Sequence, residues 1–273
     1  MSDESPRPPR FPLKLDRVAP TARRVPQTVL RPQRPVHEAA NDALRQSLPA
    51  GIGLDSAAVR ARMVARVRTE GVRCEPVLAA LAVVPRHLFV DTALATQAYE
   101  DTSLPIGLEQ TISKPSVVAR MLALLLDRPS ARARQDTTLG RVLEIGTGCG
   151  YQAALMSVMS SSVVSVERLK PLHDKARHNL SAVGARNVRL VYGDGRRGHA
   201  PNAPYDGILA AAGGDDLPPA WLEQLAIGGR LVAPMHSAAD GGQVLLVVDR
   251  ETDGYRRSVH DAVHFVPLKS GVE

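Results

Sequence analysis

The chain has 273 residues, 44% of them hydrophobic and 23% charged, with a formal net charge of +6 at pH 7; that length supports one principal globular domain with a small appendage. No apolar run reaches about 18 residues, the first residues are polar and proline-rich, and the two cysteines, Cys74 and Cys149, offer neither a disulfide framework nor zinc spacing, so a membrane span, a secretory leader and a cysteine-stapled fold are not expected and the cytoplasm is the default location. Of the net charge, +5 falls between Met1 and Pro35, from eight Lys or Arg against three Asp or Glu; the +1 left for the remainder argues against a folded reader of phosphate backbones.

In chain order, residues 1–50 carry eight prolines before Val36 and almost no periodic apolar pattern. They read as a disordered Pro/Arg-rich extension, either a solubilising leader or a contact arm, with a short helix at residues 37–47. From about Ser56 the pattern changes. Val59, Met63 and Val67 recur at four-residue spacing, and Val77, Leu78, Leu81 and Val84 mark a second helix that ends before Pro85. These two helices are expected to cap a sheet. The stretch LPIGLEQTIS, Leu104 to Ser113, has no lasting period and precedes Pro115, a good first-turn residue. It is expected to be a loop set against the helix running from Ser116 to Leu126, where substrate groups commonly lie. For Thr111 and Ser113, capping of that helix competes with a functional role. A polar linker is expected from Pro129 to Thr138.

The centre of the chain is RVLEIGTGCGY, Arg141 to Tyr151. Val142, Leu143 and Ile145 read as a buried parallel strand. Gly146, Gly148 and Gly150 then allow a sharp turn and close approach to the backbone, followed by a helix carrying Ala153, Ala154, Leu155, Val158 and Met159. The next strand, Val163 to Val166, ends on Glu167, 21 positions after Gly146, where a carboxylate can accept from the two hydroxyls of a ribose lying over the glycine turn. Gly193, Asp194 and Gly195 follow a third strand, Asn187 to Tyr192, and a carboxylate there can reach an adenine edge. The turn is G-x-G-x-G with Glu144 just before it. A carboxylate at that place disfavours a pyrophosphate and suits a ligand with ammonium and sulfonium charges, so S-adenosylmethionine fits better than NAD. A plain strand-to-helix turn with an ordinary strand-end acid is the competing reading. Cys149 is taken as a small residue demanded by the turn.

After Glu167, Leu172, Ala176, Leu180 and Val183 form a helical face closed by Gly184, and a fourth strand is expected from Tyr205 to Ala211, with Asp206 structural. The small-residue loop from Ala212 to Asp216 lies at the carboxyl end of that strand. A short helix from Pro218 to Leu225 should bury Trp221 and Leu222. A strand from Arg230 to Met235 and a hairpin made of Gln243 to Asp249 and Val263 to Leu268 would complete a seven-stranded mixed sheet. The eight histidines lack metal-ligand spacing, no metal is expected, and no Ser-His-Asp order or Gly-x-Ser-x-Gly elbow occurs.

Read together, VPRHLFVD at Val84 to Asp91, AYEDTSLPIG at Ala98 to Gly107, QTISKP at Gln110 to Pro115, VLEIGTGCGYQAA at Val142 to Ala154, GDG at Gly193 to Gly195, GGRLVAP at Gly228 to Pro234 and FVPL at Phe265 to Leu268 closely resemble the protein-L-isoaspartate O-methyltransferase family. The glycine motif alone indicates only the S-adenosylmethionine-dependent superfamily; LPIG followed by QTIS is much more specific. The resemblance runs from about Ser56 to Leu268 and leaves the amino-terminal segment outside it. It implies an α/β, Rossmann-like methyltransferase: a seven-stranded mixed sheet flanked by helices, with amino-terminal cap helices. Residues 51–127 would hold those helices and the substrate loop, and residues 128–273 the methyltransferase core.

The implied reaction is methyl transfer from S-adenosylmethionine to the free α-carboxylate of L-isoaspartyl residues in damaged proteins, leaving S-adenosylhomocysteine. By the same resemblance Ser113 and Thr111 are catalytic positions, and Ile112, Ser113 and Val266 border the substrate. Glu144, Gly146, Thr147, Gly148, Glu167, Arg168, Asp194 and Gly195 hold the cofactor. A carboxylate is already ionised at neutral pH, so no general base is needed, and Ser113 would donate a hydrogen bond to the acceptor. The expected protein is a monomer acting on isoaspartyl proteins, with no obligate nucleic acid, membrane or metal. Glu109 stands where many bacterial relatives have glycine, and is expected to point to solvent, since an inward carboxylate would repel the acceptor. Two other readings remain: a methyltransferase acting on RNA or another carboxylate, and a cofactor-binding scaffold or nucleic-acid-binding protein acting through the basic tail.

Overall fold

The computed structural model describes residues 57–134, 136–237 and 241–273. The expected amino-terminal extension and its helix at residues 37–47 lie outside the described residues, which all fall in one compact unit, Pro49–Glu273. Two helices open it, α1 (Ala57–Thr69) and α2 (Glu75–Val83), burying Met63, Val67, Val77, Leu78 and Leu81 as their spacing predicts. Seven strands then form one sheet: β3 (Arg141–Ile145), β4 (Ser162–Glu167), β5 (Val188–Tyr192), β6 (Tyr205–Ala210), β7 (Leu225–His236), β8 (Gln243–Glu251) and β9 (Gly254–Val263). Their order is β5-β4-β3-β6-β7-β8-β9, parallel from β5 to β7 and antiparallel from β7 to β9.

Because successive strand residues point to opposite faces, each central strand feeds two cores. Val142, Val163, Leu209 and Val232 join a core shared with α1, α2, α3 (Pro115–Leu126), α5 (Tyr151–Met159) and α6 (Lys170–Ala182). Leu143, Ile145, Val164 and Ile208 face the other way, against Trp221 of α7 (Pro219–Gln224). Trp221 is buried and Leu222 packs beside it, as expected. The strand order reverses at β3, which lies between β4 and β6. The crevice above the carboxyl ends of β3 and β6 is thus the topological switch point, where ligands bind in open parallel sheets.

Three expectations change. LPIGLEQTIS is not an irregular loop: β1 (Leu104–Gly107) and β2 (Gln110–Ile112) pair as an antiparallel hairpin. Only two residues, Leu108 and Glu109, join them, both at positive φ, 53° and 58°. Strands this short leave no readable alternation. Part of the expected polar linker is a helix, α4 (Pro129–Arg134), started by its proline. The closing strand is residues 254–263 rather than 263–268. Glu251 pairs with Gly254 across a turn at Thr252 and Asp253. β9 is the exposed edge of the sheet and therefore carries little apolar signal. Residues 263–268 are apolar for a different reason: they are pinned beside the Gly213 loop. Gly213 N donates to Val266 O (2.8 Å), Leu268 N to Gly213 O (2.6 Å), and Phe265 N to Gln243 Oε1 (2.6 Å). A Cβ on Gly213 would lie 2.6 Å from Gln243 Nε2 and would displace the side chain that accepts from Phe265 N.

Candidate active site

The switch point opens into a cleft lined by the glycine turn, the tip of β4 and residues 110–113. Its floor is the glycine turn. Gly146, Gly148 and Gly150 all have positive φ, 88°, 57° and 91°, which lets the chain leave β3, turn, and enter α5 along the crevice. Gly146 N donates to Val166 O (2.9 Å) and Ala211 N to Ile145 O (2.8 Å), which tie the turn to the ends of β4 and β6.

On one side stands Glu167, at the tip of β4 and only 5% exposed. Its Oε2 accepts from Gly148 N and its Oε1 from Leu169 N, both at 2.9 Å. Each oxygen keeps a lone pair, so the carboxylate is held in one orientation and still accepts from a diol. Gly195 lines the same side. A Cβ there would approach Ile145 Cγ2 to 2.6 Å, and the turn is braced by Trp221 Nε1, which donates to Gly195 O at 2.8 Å.

The opposite wall is the β1–β2 hairpin and the strand end after it. Ile106, Thr111, Ile112 and Ser113 face the cleft. Thr111 and Ser113 do not cap α3. Asp101 does so: its Oδ1 accepts from Ser116 N (2.8 Å) and its Oδ2 from Ser116 Oγ (2.7 Å). Among the described residues none hydrogen-bonds the Thr111 or Ser113 hydroxyl, and both face the cleft. Arg86 fixes this wall from behind. Its side chain is wholly buried, stacks 4.8 Å from the centre of the Tyr151 ring, and donates to Ala98 O (2.7 Å) and Ser113 O (2.9 Å). Burial lowers the pKa of the Arg86 guanidinium and pushes the Tyr151 phenol up to about 12. Lys175 Nζ donates to Ile106 O at 3.0 Å and ties the hairpin to α6.

Val266, Pro267, Leu268 and Lys269 close the rim, with Ala211 and Ala212 beside them. The expected site residues Gly146, Thr147, Gly148, Glu167, Arg168, Gly195, Thr111, Ile112, Ser113 and Val266 are thus brought to one cleft. Three are arranged differently from expectation. Glu144 does not line the cleft: it is fully buried beneath the turn, with Ser165 Oγ donating to Oε2 (2.5 Å) and Gln152 Nε2 to Oε1 (3.1 Å). Burial raises its carboxyl to about 8, against the lowering by those two hydrogen bonds. Asp194 is outside the lining, its oxygens accepting from Arg196 N (2.9 Å) and Gly271 N (2.8 Å). The Arg168 guanidinium turns to Gly271 O (3.2 Å) and Glu273 Oε1 (2.7 Å). Burial also raises the Cys149 thiol pKa, which fits a small turn residue and not a thiolate nucleophile.

Sequence reasoning passed over Arg86, Asp101 and Tyr151, although all three lie inside the quoted motifs. Their signal was present as a buried-looking charge or ring near apolar runs, but their partners are far along the chain. Glu109 is exposed at the hairpin tip and away from the cleft, as expected. Among the described residues no group of three or more His, Cys, Asp or Glu could hold a metal ion, and no helix is long and apolar enough to cross a membrane.

The family model described as protein-L-isoaspartate(D-aspartate) O-methyltransferase (PCMT) matches residues 58–273. A protein-L-isoaspartate O-methyltransferase of Methylibium petroleiphilum is 63% identical over 266 residues, covering 97% of each chain. One of Leptothrix cholodnii is 58% identical over 277 residues, covering 98% of this chain and 96% of its own. Both likenesses extend into the residues before 58, so the amino-terminal segment is not outside the resemblance. Among solved structures, a protein-L-isoaspartate O-methyltransferase is similar with a TM-score of 0.68 and 28% identity, covering 78% of this chain and 67% of that one. A Plasmodium falciparum structure, described as a putative member in complex with S-adenosyl-L-homocysteine, has a TM-score of 0.64 at 22% identity, over 76% of this chain and 97% of that one, and supports the fold.

Proposed function

The chain belongs to the protein-L-isoaspartate O-methyltransferase family, and from that membership we propose that its cleft holds S-adenosylmethionine between the glycine turn and Glu167 and receives an isoaspartyl carboxylate at Thr111 and Ser113. The activity is methylation of L-isoaspartyl residues with S-adenosylmethionine as methyl donor, as in protein repair. The observation that carries the site assignment is the pair of hydroxyls, Thr111 and Ser113, without a hydrogen-bond partner among the described residues, on the wall of the same cleft that Glu167 and the glycine turn line.

The residues present fit the cofactor. Glu167 has lone pairs for the ribose diol, the glycines at 146 and 148 leave room against the backbone, and Leu169 and Leu172 give apolar surface for a base. The cofactor, when bound, supplies an electrophilic methyl carbon on a sulfonium. The protein's part is alignment and exclusion of water, which can remove several kcal/mol of barrier. Ser113 Oγ donates to one acceptor oxygen and leaves the other to attack; Thr111 steadies the same group. Arg86 keeps the Ser113 carbonyl turned inward, so the hydroxyl and the peptide plane move as one. Val266 and Ile112 border the acceptor backbone. No residue has to remove a proton, since the acceptor is already an anion. The Asp194 carboxylate and the Arg168 side chain support the adenine end through residues 270–273.

A monomeric, cytoplasmic protein that acts on isoaspartyl proteins without metal or obligate nucleic acid is part of the same proposal; light scattering and cell fractionation test those two assignments. The site reading is tested by supplying radiolabelled S-adenosylmethionine with an isoaspartyl peptide, its aspartyl twin and an RNA. Label on the isoaspartyl peptide alone is expected. Equal labelling of the twin, or labelling of the RNA, would refute the acceptor assignment.

A further inference from the structure

After Pro35 the chain is close to neutral, but its charge is unevenly spread. The stretch from Arg168 to Arg197 holds eight Lys or Arg against two Asp or Glu, so the rest of the chain beyond Pro35 is net negative. This stretch contains α6 and β5, and β5 is the end strand of the sheet, paired with β4 on one side only. Val163 N donates to Asn187 O (3.0 Å) and Gly193 N to Glu167 O (2.9 Å). The two strands are parallel and in unbroken register between these bonds, so residues 187, 189, 191 and 193 turn their backbone groups toward β4. The N–H and C=O groups of Val188, Leu190 and Tyr192 therefore point outward, and among the described residues none of them meets a hydrogen-bond partner.

A groove runs beside this edge. Leu180, Ala185, Val188 and Leu190 give it an apolar floor, and Arg177 and Arg186 line it as well. It begins before the amino-terminal end of β5, whereas the cleft opens at the carboxyl ends of the parallel strands, and the two share no lining residue. Val188 and Leu190 pack on the core under α6, so Arg189 between them points to the opposite face of the sheet. All three arginines are exposed. Arg177 shares Asp174 with Lys170, at 3.3 Å and 2.6 Å, while among the described residues Arg186 and Arg189 form no ion pair. The other edge strand, β9, differs: Arg256 pairs with Asp249 and Glu251, and Asp261 with Arg120.

Like charge along an open strand edge deters chance pairing, but it attracts a strand of the opposite sign. A peptide backbone satisfies the outward amides and carbonyls, alternate side chains cover the apolar floor, and carboxylates meet the arginines. A second copy of this chain would instead set Arg186 and Arg189 against their own counterparts. A nucleic acid would find no aromatic ring among the groove-lining residues on which to stack a base. We propose that the β5 edge is a docking site for an extended acidic segment of a partner protein, which adds to the sheet as a further strand with its backbone on Val188, Leu190 and Tyr192 and its carboxylates on Arg186 and Arg189. The site is independent of the cofactor reading of the cleft.

The test is fluorescence anisotropy of the full chain with a labelled peptide of about ten residues that alternates valine and glutamate. The peptide should bind, and its twin with lysine for glutamate should not. Two further peptides carry N-methyl groups on the valine amides or on the glutamate amides. One should bind and the other should fail, because alternate amides of a strand face its neighbour. The double variant Arg186→Glu, Arg189→Glu, checked for folding by circular dichroism, should bind the glutamate peptide at least about tenfold more weakly and gain binding of the lysine peptide. Its methylation of an isoaspartyl peptide should be unchanged. Equal binding of the lysine peptide by the unaltered chain, equal binding of both N-methylated peptides, or no binding of the glutamate peptide up to about 1 mM would overturn the proposal. So would binding of an oligouridine in place of the peptide, or a dimer of the unaltered chain that the double variant loses, since these assign the edge to a nucleic acid or to a second copy. The peptide comparisons need no variant, so a double variant that fails to fold leaves them decisive.

Discussion

Replacing Glu109 with glycine should stabilise the protein and leave substrate recognition unchanged. Leu108 and Glu109 are the two central residues of the β1–β2 turn, at φ 53° and 58°, with Gly107 paired to Gln110 across it. A two-residue hairpin of this type requires positive φ at both centres and is commonly built with Asn-Gly or Asp-Gly. A side chain with a Cβ pays roughly 1–2 kcal/mol to sit there. Glu109 is exposed, and among the described residues its side chain makes no hydrogen bond or ion pair that would offset this. Glycine removes the steric penalty but loses about 0.5–1 kcal/mol through the greater freedom of the unfolded chain. The expected net gain is about 0.5–1 kcal/mol, a rise in melting temperature of roughly 1–4 °C for a domain of this size. Urea denaturation of three variants isolates the cause. Glu109→Gly should be stabilised, Glu109→Ala should not, because its Cβ meets the same clash, and Glu109→Gln should report the charge alone. The KM for an isoaspartyl peptide should stay within a few-fold in all three. Alanine stabilising as much as glycine would refute the backbone argument. A KM lowered about tenfold or more in the glycine and glutamine variants would refute the claim that the carboxylate faces solvent.

Ser113→Ala should lower turnover on an isoaspartyl peptide by about 10–100-fold, the worth of one hydrogen bond to a charged acceptor, with S-adenosylmethionine affinity within about twofold; equal loss of both would contradict its place on the acceptor wall. Arg86→Met strands the carbonyls of Ala98 and Ser113, which now accept from the guanidinium. It should cost about 3–5 kcal/mol in urea unfolding, and a cost under about 1 kcal/mol would show that the buried cation does not hold the wall. Trp221→Phe keeps the ring bulk and removes the donor to Gly195 O. A loss of about 1–2 kcal/mol and weaker cofactor binding by calorimetry, with peptide KM unchanged, is expected; unchanged cofactor affinity would refute the bracing role.

The glycine turn, the acid Glu167 at the strand tip and the parallel strands around them were legible because each depends on a short stretch. Gly146 and Gly148 are needed for local dihedral angles, and the apolar runs of β3, β4 and β6 follow from burial on both faces of a strand. The family motifs singled out the stretch ending at Ser113. What the one-dimensional pattern could not contain was which side each charge faces and what satisfies it. Glu144 and Glu167 are both strand-end acids in the sequence. Only the packing of α5 and the hydroxyl of Ser165 make the first a buried carboxyl and the second a cleft acceptor. Asp194 reads as an adenine contact and Arg168 as a cofactor residue, and the sequence does not show that Gly271, 77 residues on, donates to the first or that Glu273, 105 residues on, lies against the second. The closing strand was misplaced by the same limit. Residues 263–268 are apolar because they are pinned beside the Gly213 loop, whereas β9 is polar because it is an exposed edge. Periodicity reports how much of a segment is buried, and tertiary structure decides against what. Local backbone chemistry therefore determined the glycine-turn side of the cleft from sequence. The wall that presents Thr111 and Ser113 was decided by long-range partners, Arg86 and Asp101, whose hydrogen bonds exist only once the chain has folded.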